Sequence, residues 1–361
     1  MTHIERFKAS IDRKPFDRVP TDLWATPEMF KVLEEYLGQD ADTIRRKIFD
    51  VDVGLLTPDY IGPPLAAIPD VSYKNIWGVT FKKVSYGRGV YYEAAEYPLA
   101  NAESVADIER HPWPSVDSYD YDGMPDKLAE RRDLAMALGS FCIGWFAWDM
   151  MEMSRFLECL LTEPKLAEAI VNRIGDFYYE YSKRMFAACK DYIGVNVFYV
   201  NMGDDFATQD GLLFSPQIYN RFFKPHYKKI CDLAHSAGLK VEFHMCGSSV
   251  GLLPELIDTG IDILNPIQTS AKGMDPKYLK EQFGNDIAFS GGVDVQQLLP
   301  FATVSQVKDE VKYLLDTLGK GGGYIFEPSH AIQIGTPPEN VVAMYEAMYD
   351  YYGMKMNMPA C

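Results

Sequence analysis

Short apolar runs alternate with amphipathic segments along most of the chain. The runs are typical of strands buried on both faces of a sheet. Between them, apolar residues recur at helical spacing, most clearly over residues 163–189 and 216–237, the second with Ser215 as a predicted N-cap. Predicted strands lie near residues 19–24, 51–57, 134–141, 195–201, 239–244, 261–265, 286–290 and 322–326. This order predicts an α/β fold, a (β/α)8 TIM-type barrel with a parallel sheet.

Three further segments have predicted structures of their own. Residues 1–14 predict an N-terminal helical extension ended by Pro15, and residues 28–49 predict one further helix. Over residues 75–99, aromatic and β-branched residues alternate on either side of Gly87-Arg88-Gly89, which predicts an inserted β-hairpin. We therefore expect a single barrel domain over residues 1–361, with a hairpin inserted at about 75–99.

Composition restricts the class of protein. A hydrophobic share of 47% and a charged share of 24% are ordinary for a globular protein, and the net charge of −16 argues against nucleic acid or an anionic membrane as partner. We expect no signal peptide and no membrane span. The cysteines are scattered without a disulfide framework, which predicts reduced thiols and a cytoplasmic protein. They are Cys142, Cys159, Cys189, Cys231, Cys246 and Cys361.

The fifth predicted strand ends in His244-Met245-Cys246 before Gly247. Residues two apart in a strand point to the same face, so an imidazole and a thiol are expected side by side. Nitrogen and sulfur are the donors that zinc prefers. The alternative is a buried cysteine beside a hydrogen-bonded histidine. For a third metal ligand, His330 after the eighth strand is the first candidate and Glu327 the second.

Polar and aromatic residues follow the other strands, where barrel enzymes carry their sites. We expect Asp205, His244 and Asp294 as catalytic residues, although Asp205 is equally compatible with a turn and Asp294 with a helix cap. The residues predicted to bind substrate are Asp22, Trp24, Trp145, Asn201 and Gln268. For Trp145, packing against the protein is the alternative.

The remaining motifs give weaker indications of function. The glycine-rich residues 319–323 favour a tight turn before a strand over a phosphate cradle. The sequence has no His-Glu-x-x-His metalloprotease motif and no phosphate-binding loop. The histidines predicted to lie away from the strand ends, which receive no role, are His3, His111, His226 and His235.

Several motifs, most of them within residues 195–350, resemble the uroporphyrinogen decarboxylase superfamily. They are Phe243-His244-Met245-Cys246-Gly247, Asp262-Ile263-Leu264-Asn265-Pro266, Gly291-Gly292-Val293-Asp294, Pro328-Ser329-His330 and Thr336-Pro337-Pro338-Glu339-Asn340. The resemblance implies a barrel with its site at the open mouth. It is closest to the corrinoid-dependent methyltransferase branch, where the His-x-Cys pair matches a zinc motif. In that branch the third ligand is a cysteine after the last strand, whereas this chain has His330 there.

The first strand separates the two branches. In the decarboxylases an arginine-rich segment follows that strand and holds the porphyrinogen carboxylates. Residues 19–28 contain no arginine, and Asp22 and Glu28 would repel a substrate with eight carboxylates.

The resemblance thus implies methyl transfer between a small methylated substrate and the cobalamin of a separate corrinoid protein, with Zn2+ as the expected cofactor. The aromatic share of 13% suits an aryl methyl ether or a methylated amine such as a betaine, and a thiol is a further candidate. The alternatives are a uroporphyrinogen decarboxylase-like decarboxylase and a non-catalytic ligand- or metal-binding barrel.

Overall fold

The computed structural model describes residues 1–359 except 66, 69–71 and 87–88. Two sequence predictions, the Gly87-Arg88 turn of the hairpin and a reduced Cys361, therefore lie outside the described residues. The strands are β1 (Val53–Leu56), β2 (Asp59–Tyr60), β3 (Ala67–Ile68), β4 (Ser72–Lys74), β5 (Thr80–Tyr86), β6 (Gly89–Glu96), β7 (Tyr119–Asp120), β8 (Ala135–Leu138), β9 (Val197–Gly203), β10 (Lys240–His244), β11 (Ile263–Ile267), β12 (Ala288–Val293) and β13 (Tyr324–Pro328).

Helices connect most of these strands. They are α1 (His3–Ile11), α2 (Pro27–Leu37), α3 (Ala41–Thr43), α4 (Val105–Arg110), α5 (Met124–Ala129), α6 (Gly144–Met151), α7 (Met153–Thr162), α8 (Pro164–Ala188), α9 (Pro216–Ile218), α10 (Lys224–Ser236), α11 (Leu253–Thr259), α12 (Pro276–Phe283), α13 (Leu298–Phe301), α14 (Val304–Leu314) and α15 (Pro338–Tyr351). Short π-helical segments cover Ile44–Ile48, Tyr219–Phe223 and Leu315–Gly319, and 3-10 turns cover Val116–Ser118 and Ser249–Gly251. Within the described residues, no helix is both long enough and apolar enough to cross a bilayer.

The predicted (β/α)8 barrel is confirmed. Seven parallel strands follow one another in the order β1-β8-β9-β10-β11-β12-β13. The eighth position belongs to the predicted first strand, which is present as isolated bridges: Thr21 pairs with Phe326 on one side, and its carbonyl accepts a hydrogen bond of 2.8 Å from Asp52 on the other. Pro20 has no N–H to donate, so a regular ladder cannot extend through this segment.

The lower half of the barrel interior is apolar. Phe7 and Ile11 of α1 pack beneath it against inward-facing side chains of the strands, including Val53, Ala137 and Ile325. The N-terminal extension therefore covers the end of the barrel opposite to the mouth. This packing leaves the upper half for polar residues.

A buried ion cluster holds the extension in place. The Asp52 carboxylate is fully buried and accepts hydrogen bonds from Arg6 Nη1 at 2.5 Å and Arg18 Nη1 at 2.6 Å. Asp17 also accepts from Arg6, and Asp50 also accepts from Arg18, so the cluster joins two arginines to three aspartates.

The insertion is larger than the predicted hairpin. Strands β5 and β6 form that hairpin, and β3 and β4 extend it to a four-stranded antiparallel sheet in the order β3-β4-β5-β6. Trp77, 1% exposed, joins this insertion to the barrel through ring contacts with Trp113 and Phe177. Outside this sheet, β7 pairs with β2 in a two-stranded antiparallel ladder.

Two predicted helices are interrupted. The segment 28–49 breaks at Gly38, whose left-handed backbone (φ 65°) ends α2, before α3 and a π-helical segment follow. Left-handed glycine is a common helix terminator because it has no Cβ. The segment 216–237 is helical without a gap, but a π-helical segment, Tyr219–Phe223, separates α9 from α10. Ser215 occupies the predicted N-cap position, although its hydroxyl makes no capping hydrogen bond within the described residues.

Candidate functional site

Two donor side chains leave the end of β10 side by side. Cys246 Sγ lies 3.3 Å from His244 Nε2. Two hydrogen bonds hold this loop: Cys246 N donates to Asp205 Oδ1 at 2.8 Å, and Gly247 N donates to Gln268 Oε1 at 2.6 Å. Gly247 adopts a left-handed backbone with φ 83°. A Cβ on Gly247 would meet the carbonyl oxygen of Thr208 at 2.5 Å, so glycine is required here.

His330 joins these residues from the loop after β13. One ligand atom from each of His244, Cys246 and His330 lies within 4.8 Å of the others. Trp24 supports the third residue, because its ring stacks on the His330 imidazole with centroids 4.5 Å apart. Zinc bonds of about 2.0–2.3 Å place tetrahedral donors roughly 3.3–3.8 Å apart. The three residues therefore fit a zinc ion after small side-chain adjustments, with the fourth position open.

An asparagine orients the first histidine. His244 Nδ1 lies 2.7 Å from Asn265 Oδ1, and Asn265 Nδ2 donates to Glu327 Oε1 at 2.6 Å. The Glu327 oxygen needs the amide NH2 as donor, so the amide oxygen faces His244 and accepts its Nδ1 proton. The lone pair of His244 Nε2 is then directed at Cys246, as in histidines that ligate metals.

Glu327 itself is not among the converging donors. Its Oε1 accepts hydrogen bonds from Asn265 Nδ2 and from the Ser290 hydroxyl. The prediction of Glu327 as a metal ligand therefore receives no geometric support, because its carboxylate is engaged in orienting Asn265. His330 is the third donor that the structure brings into place.

Burial shifts the pKa values of two of the three donor residues with opposite consequences for metal binding, because zinc binds thiolate and neutral imidazole. Burial raises the pKa of the Cys246 thiol, and the Asp205 carboxylate raises it further. Burial lowers the pKa of His330, and the neighbouring His244 adds to this shift. At neutral pH Cys246 is thus a thiol and His330 a neutral imidazole. A bound cation would replace the thiol proton, as zinc does in cysteine-containing sites.

A cavity of about 460 Å³ extends from the barrel mouth into the polar upper half of the interior. This volume lies within the range of small-molecule sites. The polar residues that line its inner part are Asp22, Tyr199, Asn201, Glu242, Asn265, Ser290 and Glu327, and His244 lines it as well.

Two carboxyl groups in the inner part of the cavity, those of Glu242 and Glu327, have raised pKa values. Burial, and then the Asp22 charge, raise the pKa of Glu242 to about 7 against the opposing effect of a 2.6 Å hydrogen bond from Asn201. Burial raises the pKa of Glu327 well above its usual range, and the charges of Asp22 and Glu242 add to it. The inner cavity therefore contains carboxyl groups that are partly or fully neutral at pH 7.

Three arginines also line this cavity. They are Arg45 and Arg46 from the π-helical segment after α3, and Arg131 from the segment before β8. Arg45 pairs with Asp22 at 2.8 Å. Residues 19–28 contain no arginine, but segments distant from them in the sequence supply guanidinium groups to the cavity.

The predicted substrate-binding residues divide into two groups. Asp22, Trp24 and Asn201 line the cavity. Gln268 and Trp145 are not among the lining residues: Gln268 positions the loop at Gly247, and Trp145, 42% exposed, lies at the start of α6 beside Trp148. For these two, the geometry supports positioning and packing.

The three predicted catalytic residues have different structural roles. His244 is a metal-binding candidate, and Asp205 contacts the Cys246 backbone N–H. Asp294 lies outside the cavity lining, and its carboxylate accepts from the N–H groups of residues 296–298 at the start of α13, at 3.0, 2.8 and 3.1 Å. The structure thus shows the helix-capping alternative for Asp294, and we assign it no catalytic role.

Sequence reasoning missed Glu242, Ser290 and the role of Asn265. Glu242 precedes His244 by two residues, so the same-face rule that joined His244 to Cys246 also applied to it. A carboxylate within an otherwise apolar buried strand was the available signal. The arginines had no comparable signal.

The fold and the site at the carboxyl ends of its strands define the class: a (β/α)8 barrel of the kind that carries enzyme sites at its mouth. The profile described as uroporphyrinogen decarboxylase (URO-D) matches residues 86–351. The chain therefore belongs to the URO-D family, and the relatives that it matches are named as enzymes.

These relatives carry two kinds of name. A uroporphyrinogen decarboxylase from Idiomarina loihiensis is 23% identical, with 96% of each chain covered. A methylated-thiol–coenzyme M methyltransferase from Methanosarcina mazei is 26% identical over 62% of this chain and 56% of its own length. Among solved structures, a methyltransferase from Methanosarcina mazei has a TM-score of 0.66 at 19% identity, covering 98% of this chain and 99% of that one. The last comparison supports the fold.

Proposed function

We propose that this protein is a methyltransferase that moves a methyl group between a small methylated substrate and the cobalamin of a separate corrinoid protein. The observation that carries the proposal is the convergence of His244, Cys246 and His330 within 4.8 Å at the mouth of the cavity. The similarity to the methylated-thiol–coenzyme M methyltransferase supports the same branch. The methyl donors considered are aryl methyl ethers, methylated amines or betaines, and thiols.

The chain's own residues have distinct roles in this proposal. His244, Cys246 and His330 would hold the zinc ion. Asn265 orients His244, and Asp205 and Gln268 fix the loop that carries Cys246. Trp24 packs against His330 and also lines the cavity. When bound, zinc supplies Lewis-acid activation of the methyl-bearing atom or lowers the pKa of a substrate thiol.

The cavity surroundings fit a docked partner. Trp24 and Leu55, 42% and 46% exposed, both line the cavity and present apolar surface at its opening. We propose that the corrinoid protein covers this opening, so that its cobalt approaches the methyl group held beside His244. We also propose a cytoplasmic location, where thiols such as the free Cys142 and Cys246 stay reduced.

The test mixes zinc-loaded protein, reduced corrinoid protein and candidate methyl donors, and follows the cobalamin absorption spectrum. We expect conversion to methylcobalamin with one donor class, and loss of conversion in Cys246→Ser. Cys142→Ser is the matched control, because Cys142 lines the same cavity outside the metal cluster. Equal activity of both variants would contradict the proposal.

A second candidate is decarboxylation of an acidic substrate. It is favoured by the three arginines in the cavity and by the uroporphyrinogen decarboxylases among the relatives. Two of these arginines already pair with aspartates, at 2.8 Å for Arg45 and 2.6 Å for Arg46. Release of carbon dioxide from uroporphyrinogen without any methyl transfer would favour this candidate. Zinc binding without either activity would favour a non-catalytic barrel.

A further inference from the structure

The charged groups of the cavity come from different parts of the fold. The carboxyl groups of Glu242 and Glu327 lie with His244 on strands of the barrel or directly after them. The arginines come from outside the strands, Arg45 and Arg46 from the π-helical segment and Arg131 from the segment before β8. A ligand that fills the cavity can therefore contact both a metal-binding candidate and guanidinium groups.

Two of these guanidinium groups retain unused donors. Arg131 Nη1 donates one long hydrogen bond, of 3.4 Å, to the carbonyl oxygen of Leu55. Arg46 pairs with Asp133 at 2.6 Å, with the two side chains 33% and 50% exposed. Exposed ion pairs of this kind contribute about 0–1 kcal/mol, so a ligand can replace them at small cost. Each guanidinium carries five N–H donors, and within the described residues each of these two makes one hydrogen bond.

The local acidic groups do not saturate these arginines. Asp22 is engaged by Arg45 at 2.8 Å and by the backbone N–H of Leu23 at 2.7 Å. Asp42, which also lines the cavity, is exposed to solvent, and so is Asp133. Water screens these exposed carboxylates. Arg131 is exposed as well and Arg46 is 33% exposed, so both guanidinium groups are accessible to a ligand carboxylate in the cavity.

We propose that Arg46 and Arg131 form an anion-recognition subsite, and that the substrate carries a carboxylate at the end opposite to its methyl group. Guanidinium groups bind carboxylates through paired N–H···O bonds, which fix orientation as well as affinity. Bound in this way, a methylated carboxylic acid would extend from the arginines towards His244. This inference deepens the proposed methyltransferase function and rests on it for the identity of the methyl group.

Calorimetry with matched ligand pairs tests the subsite without any methyl transfer. The pairs are para-methoxybenzoate with para-methoxybenzyl alcohol, methoxyacetate with methoxyethanol, and methylthioacetate with methylthioethanol. We expect at least one carboxylate to bind the zinc-loaded protein about 10-fold or more tightly than its alcohol, or about 1.4 kcal/mol. In Arg46→Gln and Arg131→Gln this preference should fall several-fold.

Arg132→Gln is the matched control, because Arg132 contacts the Tyr192 ring and does not line the cavity. Its carboxylate preference should equal that of the wild-type protein. The proposal is overturned if none of the three carboxylates binds more tightly than its alcohol, or if the preference survives both cavity substitutions.

The subsite and the proposed function can fail separately. Arginine-dependent carboxylate binding without methyl transfer to cobalamin would retain the subsite and reject the methyltransferase. Methyl transfer from a neutral donor, unchanged in Arg46→Gln and Arg131→Gln, would retain the methyltransferase and reject the subsite.

Discussion

Replacing Asn265 with alanine removes the side chain that connects His244 to Glu327. The variant loses the hydrogen bond of 2.7 Å to His244 Nδ1 and the one of 2.6 Å to Glu327 Oε1. The backbone of β11 keeps its hydrogen bond to the segment that carries Cys246, because Met245 N donates to the backbone oxygen of residue 265 at 2.6 Å. The substitution therefore tests the orientation of His244 with little change in the backbone.

The magnitude follows from these two bonds. A hydrogen bond contributes about 0.5–1.5 kcal/mol net, so their loss amounts to about 1–3 kcal/mol, divided between zinc affinity and fold stability. Residues that orient metal ligands typically change affinity by about 10- to 100-fold when they are removed, or about 1.4–2.7 kcal/mol. We expect zinc affinity of Asn265→Ala to fall within that range.

Competition with a coloured zinc chelator measures this change. Asn201→Ala is the control, because Asn201 also lines the cavity and donates to a carboxylate, Glu242, at 2.6 Å. Its zinc affinity should match that of the wild-type protein. Thermal melts of the metal-free variants show whether each is folded. If folded Asn265→Ala binds zinc as tightly as Asn201→Ala does, the orienting role of Asn265 is refuted.

Three further substitutions test other parts of the account. Asp52→Asn should destabilise the protein by about 1.5–3 kcal/mol in urea unfolding, because Arg6 and Arg18 each lose a charge-assisted hydrogen bond in the buried cluster and keep only Asp17 and Asp50 as carboxylate partners, and an unchanged midpoint would contradict this. Gly247→Ala should lower zinc affinity and melting temperature together, since its Cβ would lie 2.5 Å from a carbonyl oxygen, and wild-type values for both would refute that strain. Burial raises the pKa of Asp149 to about 6, and its Oδ2 has no hydrogen-bond partner among the described residues. The folded state therefore binds the extra proton, the contribution of this residue to stability decreases as pH rises from about 4 to 6, and Asp149→Asn should be about 1–3 kcal/mol more stable than wild type at pH 7 but not at pH 4.

The barrel could be predicted because hydrophobic period and element order are local properties of the chain. Strand positions were predicted less accurately where a residue, such as a proline, is compatible both with the end of a strand and with its interior. The predicted strand 261–265 is β11, Ile263–Ile267, which continues through Pro266 at a shift in register with β12. A proline lacks an N–H, and such an irregularity is one of the places in a sheet where it is tolerated.

The site could be predicted where its residues follow strands. His244, Cys246 and His330 were found in this way, and the structure brings their donor atoms together. The arginines could not be found, because Arg45 and Arg131 reach the cavity from a π-helical segment and from the segment before β8, where tertiary packing decides their position. Asp294 illustrates the opposite problem, since an aspartate after a strand suits a helix cap and a catalytic site equally well.

X-ray absorption at the zinc edge of the purified, zinc-loaded protein tests the central claim most directly. The account predicts one sulfur ligand at about 2.3 Å and two imidazole nitrogens at about 2.0–2.1 Å, with the sulfur lost in Cys246→Ser and one imidazole lost in His330→Ala. A zinc environment without sulfur, or one that neither substitution changes, would contradict it.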